Sequence, residues 1–136
     1  MNKRKNIITV AIDSPAAAGA GTQAKFIAKE YNLLYLDTGK IYRLIGKIKL
    51  TAGTKFNYSF IKKKISNIKI NQLNNTKLIS DDIAKCASIV AKDYNIRKLV
   101  KKFQLNCAYN PPKKYSGSVL DGRDITSVIM KDAMFK

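Results

Sequence analysis

Short apolar runs alternate with helical repeats along this chain, separated by glycines and capping residues. The run Ile7–Ile12, just before a glycine-containing turn, reads as a buried strand. Ala24, Ile27, Ala28 and Tyr31 recur at helical spacing and predict a helix from about Gly21 to Tyr31. Leu33–Leu36 is a second strand candidate, ending at Asp37. Thr38 is placed to cap the next helix, where Ile41, Leu44, Ile45 and Ile48 make one apolar face. Lys40, Arg43 and Lys47 take the opposite, wet face, which leaves Arg43 able to reach a ligand.

The pattern weakens from Thr51 to Ile79, where a short helix near Ser59–Ile65 and a strand near Ile68–Ile70 are expected. It sharpens again at Ser80, an N-cap with Asp81 and Asp82 in the first turn, where carboxylates suit the helix dipole. Asp93 caps a further helix carrying Ile96, Leu99, Val100 and Phe103 on one side, and Pro111-Pro112 closes it. Ser118–Leu120 is the next strand, leading into Asp121-Gly122-Arg123-Asp124. Strands separated by helices predict an α/β fold with a parallel sheet, whose ligands sit at the carboxyl ends of the strands. The loop that starts at Ser14 and the Asp121–Asp124 segment both occupy such ends.

Composition narrows the function classes. With 136 residues the chain can bury one core. No apolar run approaches the roughly 20 residues of a membrane span, and the apolar part after MNKRKN is too short for a secretory signal. Cys86 and Cys107 have no metal or redox spacing and the chain has no histidine. A reduced, cytoplasmic protein without histidine acid–base or zinc chemistry is expected. The net charge of +17 resembles that of a nucleic-acid binder. Twenty-two of the 26 basic residues are lysine, however, beside abundant Ile and Asn, as an AT-rich coding sequence would produce, so a solvated lysine surface is the favoured reading. One skew remains: Arg43 and nine lysines, with no acid, lie between Asp37 and Asp81.

The segment IITVAIDSPAAAGAGT carries the first candidate chemistry. Its small residues permit a backbone curl that turns several N–H groups and a helix N-terminus towards an anion. The usual phosphate loop reads G-x-x-x-x-G-K-[ST]. Here Ser14 stands at the first glycine and Ala20 at the lysine. Arginine, scarce in this chain, supplies the second clue. Arg4 reads as incidental in the basic N-terminus, whereas Arg43, Arg97 and Arg123 lie beside ordered patterns in IYR, NIRK and DGRD. Guanidinium alone offers a planar fork for phosphate or base. Composition by itself leaves selection and drift equally open for these three positions.

Taken together, AIDSPAAAGAGT, LDTGKIYR, ASIVA followed by IR, and DGRDITSVI followed by DA resemble the bacterial cytidylate (CMP/dCMP) kinases of the P-loop nucleoside monophosphate kinase group, in order and approximate spacing over nearly the whole chain. LDTG-x-IYR and DGRD are far more specific than the phosphate loop. The resemblance implies a three-layer P-loop fold, with a parallel sheet flanked by helices. Its core would cover about 1–38 and 80–136, with a monophosphate-binding insert at about 39–79. Ser14, Pro15, Ala16, Ala17, Ala18, Gly19, Ala20, Gly21 and Thr22 would surround the ATP phosphates. Thr38, Arg43 and Arg123 would hold the CMP phosphate, with Arg43 and Arg123 as the catalytic charges and Tyr42 lining the site. Ser88, Arg97 and Asp124 would read cytosine. For Tyr42 a packed helix residue, and for Ser88 a small residue at a helix contact, remain open alternatives. ATP with Mg²⁺ on its phosphates is the implied donor, with no dedicated protein metal ligand; a monomer bound to neither membrane nor nucleic acid is expected.

The sequence also departs from that pattern. Ala20 removes an ammonium where charge develops, Ser14 occupies a site that favours glycine, and Ile79 stands where an arginine is usual. The insert is shorter than usual. At DAMFK the family would begin another core strand, followed by a lid, a helix and a last strand. The expectation is therefore a truncated or decayed kinase of little activity, with a non-catalytic nucleotide- or nucleic-acid-binding remnant as the alternative.

Overall fold

A computed structural model describes residues 2–15, 19–73 and 78–136, with the backbone alone for Asn71. The expected residues Ala16, Ala17 and Ala18 lie outside the described residues, as does 74–77 of the insert. The elements in chain order are β1 (Ile8–Asp13), α1 (Ala20–Tyr31), β2 (Leu33–Asp37), α2 (Thr38–Ala52), α3 (Tyr58–Ser66), α4 (Ile70–Leu73), α5 (Asp81–Val90), α6 (Tyr94–Tyr109) and β3 (Gly117–Gly122). A wide helical turn, Ile125–Ile129, follows β3; Ile129 and Met130 donate five residues back, to Asp124 and Ile125.

The chain forms two compact units, 1–38 with 104–136, and 39–103. The first holds the sheet. All three strands are parallel in the order β1-β3-β2, so β3 is central; Ile12 and Asp37 both pair with Asp121. Val10, Ala24, Ala28, Leu33 and Val119 form a buried cluster against which Ile8, Ile12, Ile27 and Tyr35 pack, so α1 covers one sheet face with its apolar stripe. On the outer side of β1, Phe135 makes a parallel bridge to Val10, with Phe135 N–H on the Thr9 carbonyl at 3.0 Å and Ala11 N–H on the Phe135 carbonyl at 2.9 Å. Arg4 is not incidental: its guanidinium donates to the carbonyls of Pro111 and Pro112 at 3.2 and 3.1 Å, tying the N-terminus to the end of α6.

The second unit is helical. Ile41, Ile45, Ile61, Ile65, Ile83, Ala87, Val90, Ile96 and Val100 are buried in it. Gly46 of α2 meets α5 so closely that a Cβ there would lie 2.7 Å from the Ala87 nitrogen. Ser80 caps α5 by accepting from Ile83 N–H at 3.3 Å, and Asp93 caps α6 by accepting from Asn95 and Ile96 N–H groups. Two expectations fail locally. Ile68–Ile70 is no strand: Lys69 N–H donates to the Gln72 side chain at 2.8 Å and opens α4 instead. Thr38 is the first residue of α2, and its hydroxyl is spent elsewhere, as follows.

Candidate active site

Each strand of the sheet delivers a carboxylate to the same end, Asp13 on β1, Asp37 on β2 and Asp121 on β3. In a chain with nine acidic residues against 26 basic ones, three of the nine thus sit at one end of the sheet. Asp121 lies beneath the first turn of α1, since a Cβ at Gly21 would be 3.6 Å from its Oδ2 and from the Tyr35 hydroxyl. The Tyr35 hydroxyl donates to Asp121 Oδ2 at 2.9 Å. Burial, then that hydrogen bond, then the charges of Asp121 and Asp37 push the phenol far above its ordinary range.

Gly19, the N-cap of α1, has φ +81°, a left-handed conformation that glycine takes without cost, and no side chain among the described residues caps the helix. A helix N-terminus directs its first N–H groups outward, where an anion suits them. Ser14, where strain was expected, is not among the described residues with positive φ. Its N–H instead donates to the Gly122 carbonyl at 3.3 Å, joining the phosphate loop to the end of β3.

Thr38 closes the other side of that strand end. Its hydroxyl, almost fully buried, donates to the Asp121 carbonyl at 2.9 Å. Gly122 has to be a glycine for this, because a Cβ there would collide with the Thr38 hydroxyl. Arg123 and Asp124 follow, both exposed, and Asp124 is one of the few non-glycine residues in a left-handed backbone conformation, φ 59° and ψ 20°. Of the expected site residues, then, Ser14, Gly19 to Thr22, Thr38, Arg123 and Asp124 belong to the sheet unit, and the hydrogen bonds join Ser14 and Thr38 to the strand end that bears Arg123.

Tyr42, Arg43, Ser88 and Arg97 belong to the helical unit. Tyr42 and Arg97 are brought together there. Burial raises the Tyr42 phenol's pKa, and the Arg97 guanidinium, donating to its oxygen, opposes that rise. Ser88 donates to the Ala84 carbonyl of its own helix at 3.1 Å. Arg43 is exposed, and among the described residues neither Arg43 nor Arg123 forms an ion pair. A cavity of about 510 Å³ in the same unit, lined by Leu44, Ile48, Phe60, Lys63, Lys64 and Ile68 among others, contains none of the expected residues. Asp13, Tyr35 and Asp121 were missed as site residues by the sequence reading. The available signal was the recurrence of a rare acid at the last or next-to-last residue of every strand.

A three-stranded parallel sheet flanked by helices, with an exposed Arg123 just past its central strand, is the architecture of α/β proteins of the P-loop kind. The family model for cytidylate kinase matches residues 10–136, and the chain belongs to that family. It is 38% identical over 128 residues to the cytidylate kinase of Bradyrhizobium sp. (strain ORS 278), covering 93% of this chain and 58% of the relative. Identity is 39% over 128 residues with the cytidylate kinase of Paramagnetospirillum magneticum, and 37% over 129 residues with that of Agrobacterium fabrum, each covering 60% of the relative. The chain thus spans about three fifths of the length of these curated relatives. No helix among the described residues is long and apolar enough to cross a membrane.

Proposed function

We propose that this chain binds CMP or dCMP together with ATP and carries out transfer of the γ-phosphoryl group to the monophosphate, at a rate held down by Ala20. A phosphate oxygen of CMP attacks the γ-phosphorus as the bond to the departing ADP breaks. The observation that best supports this reading is the strand end of β3. The Thr38 hydroxyl is fixed on the Asp121 carbonyl, Gly122 makes room for it, and Arg123, which forms no ion pair among the described residues, follows at once.

In this reading Thr38, Arg43 and Arg123 hold the CMP phosphate, with Tyr42 lining the site. Asp124 accepts from the exocyclic amine of cytosine and Arg97 donates to its ring acceptors, as Ser88 does once its hydroxyl leaves the Ala84 carbonyl. Ser14 to Thr22 surround the ATP phosphates, using the first turn of α1 behind Gly19. Mg²⁺ neutralises charge on those phosphates when bound. The groups here fit a hydrated cation carried on phosphate: Thr22 in the first turn of α1, and Asp121 directly beneath that turn, are oxygen donors of the right type.

Phosphoryl transfer asks the protein for positioning and for positive charge around the transferring oxygens. Ala20 gives no charge. Loss of one such contact typically costs ~3–4 kcal/mol, or roughly 10²–10³ in rate. CDP formation from CMP and ATP, in protein freed of host kinase, is therefore expected to be slow and to rise by up to about 10²–10³ in Ala20→Lys. Family-like turnover in the unaltered protein, or no gain on restoring the lysine, would contradict this account of the loop. The acid-free stretch with Arg43 and nine lysines between Asp37 and Asp81 supports a second reading, a basic nucleic-acid-binding protein without catalysis. That reading predicts no dependence on CMP at all.

A further inference from the structure

We propose that Asp13 is a positioning residue, a carboxylate clamp that sets the conformation of Arg123 and Asp124 and couples them to the phosphate loop. This rests on the reading of the site as a CMP site. Both oxygens of the Asp13 carboxylate are engaged across the sheet end. Oδ1 accepts from the Ile125 N–H at 2.6 Å, and Oδ2 accepts from the Thr126 N–H at 3.0 Å and from the Thr126 hydroxyl at 2.6 Å. These are charge-assisted bonds to two successive amides that no earlier turn of helix could satisfy.

Their placement gives the clamp its purpose. Asp124 immediately precedes the two captured amides and holds a left-handed conformation that costs a non-glycine residue free energy. Such a conformation persists only where neighbours over-determine it. The neighbours here are Asp13 on one side and, on the other, the bonds from Val128 and Ile129 N–H groups to the Asp124 carbonyl. Asp13 is also the last residue of β1, and the next residue, Ser14, donates to the Gly122 carbonyl. The segment that starts at Ser14 and the segment bearing Arg123 are thus cross-linked by the last residue of β1 and the residue after it. Asp13 itself touches neither nucleotide in this scheme; it acts through the residues it holds.

Asn at position 13 keeps the shape but turns one acceptor into a donor facing the Thr126 N–H and hydroxyl. Asp13→Asn is expected to weaken CMP binding about tenfold, as loss of one charge-assisted bond would. It should also erode the preference for CMP over UMP, which a general loss of stability would not do. Thr126→Val removes only the hydroxyl arm and should lose part of that preference, with Thr126→Ser restoring it. Amide hydrogen exchange, read residue by residue without nucleotide, should accelerate at Ile125 and Thr126 in Asp13→Asn while β1 and β3 keep their protection. If the unaltered protein prefers CMP and Asp13→Asn matches it in affinity, selectivity and exchange, the clamp is overturned and the site reading stands. An unaltered protein without CMP preference overturns the site reading and, with it, any role of Asp13 in recognition. In that case the exchange rates still decide whether the clamp exists.

Discussion

At the scale of single residues the chain shows how a site can be specified by hydrogen bonds that a sequence does not display. Tyr35 illustrates this. Its phenol is half-buried and donates to Asp121, so the protonated form is favoured in the folded protein. A folded-state pKa raised above the ordinary value of 10.0 adds stability that is fully present below about pH 10 and is lost as pH climbs beyond it. Chemical denaturation at stepped alkaline pH should therefore show a steeper fall for the unaltered protein than for Tyr35→Phe; identical slopes would contradict the burial and the bond. Arg43, Arg97 and Arg123 stood out in the sequence because arginine is scarce there and each lies in an ordered context. Asp13 and Tyr35 did not, because their roles depend on strands that pair only through β3, more than 80 residues away. Thr38 was read as a cap from its position before an apolar helical face. Its hydroxyl is taken by the Asp121 carbonyl instead, a partner that exists only once the parallel sheet has formed.

At the scale of elements, periodicity succeeded wherever an element buries a stripe. Helix α1, strands β2 and β3, and the capped starts of α5 and α6 all follow from spacing and caps. It failed at Ile68–Ile70, where three alternating residues are too few to separate a strand from the lead-in to a helical turn, and the bond that Lys69 N–H donates to the Gln72 side chain decides the matter. The turn at Ile125–Ile129 was equally hidden, since its start is held by Asp13 from another strand. Gly46 offers a test of element packing. Alanine there would gain about 1 kcal/mol in helix propensity. Its Cβ would, however, stand 2.7 Å from the Ala87 nitrogen and 2.9 Å from the Ile83 carbonyl oxygen, backbone atoms that cannot turn aside. Overpacking of this kind costs ~1–3 kcal/mol, so the clash offsets the gain and more. Gly46→Ala is expected to lower the melting temperature by several degrees. A rise would show that α2 and α5 do not approach as described.

For the whole molecule, charge and chemistry point to different partners, and the site chemistry is the more specific guide. A net charge of +17 attracts any polyanion, yet most of it is lysine spread through the chain. The cytidylate kinase family assignment rests on a match over residues 10–136. The measurement that separates the two is a calorimetric titration of the unaltered protein with CMP, UMP and a short single-stranded RNA at low and raised salt. Saturable binding of CMP, tighter than that of UMP and persisting at raised salt, is the predicted result. Tight RNA binding that collapses with salt, and no preference for CMP over UMP, would contradict it.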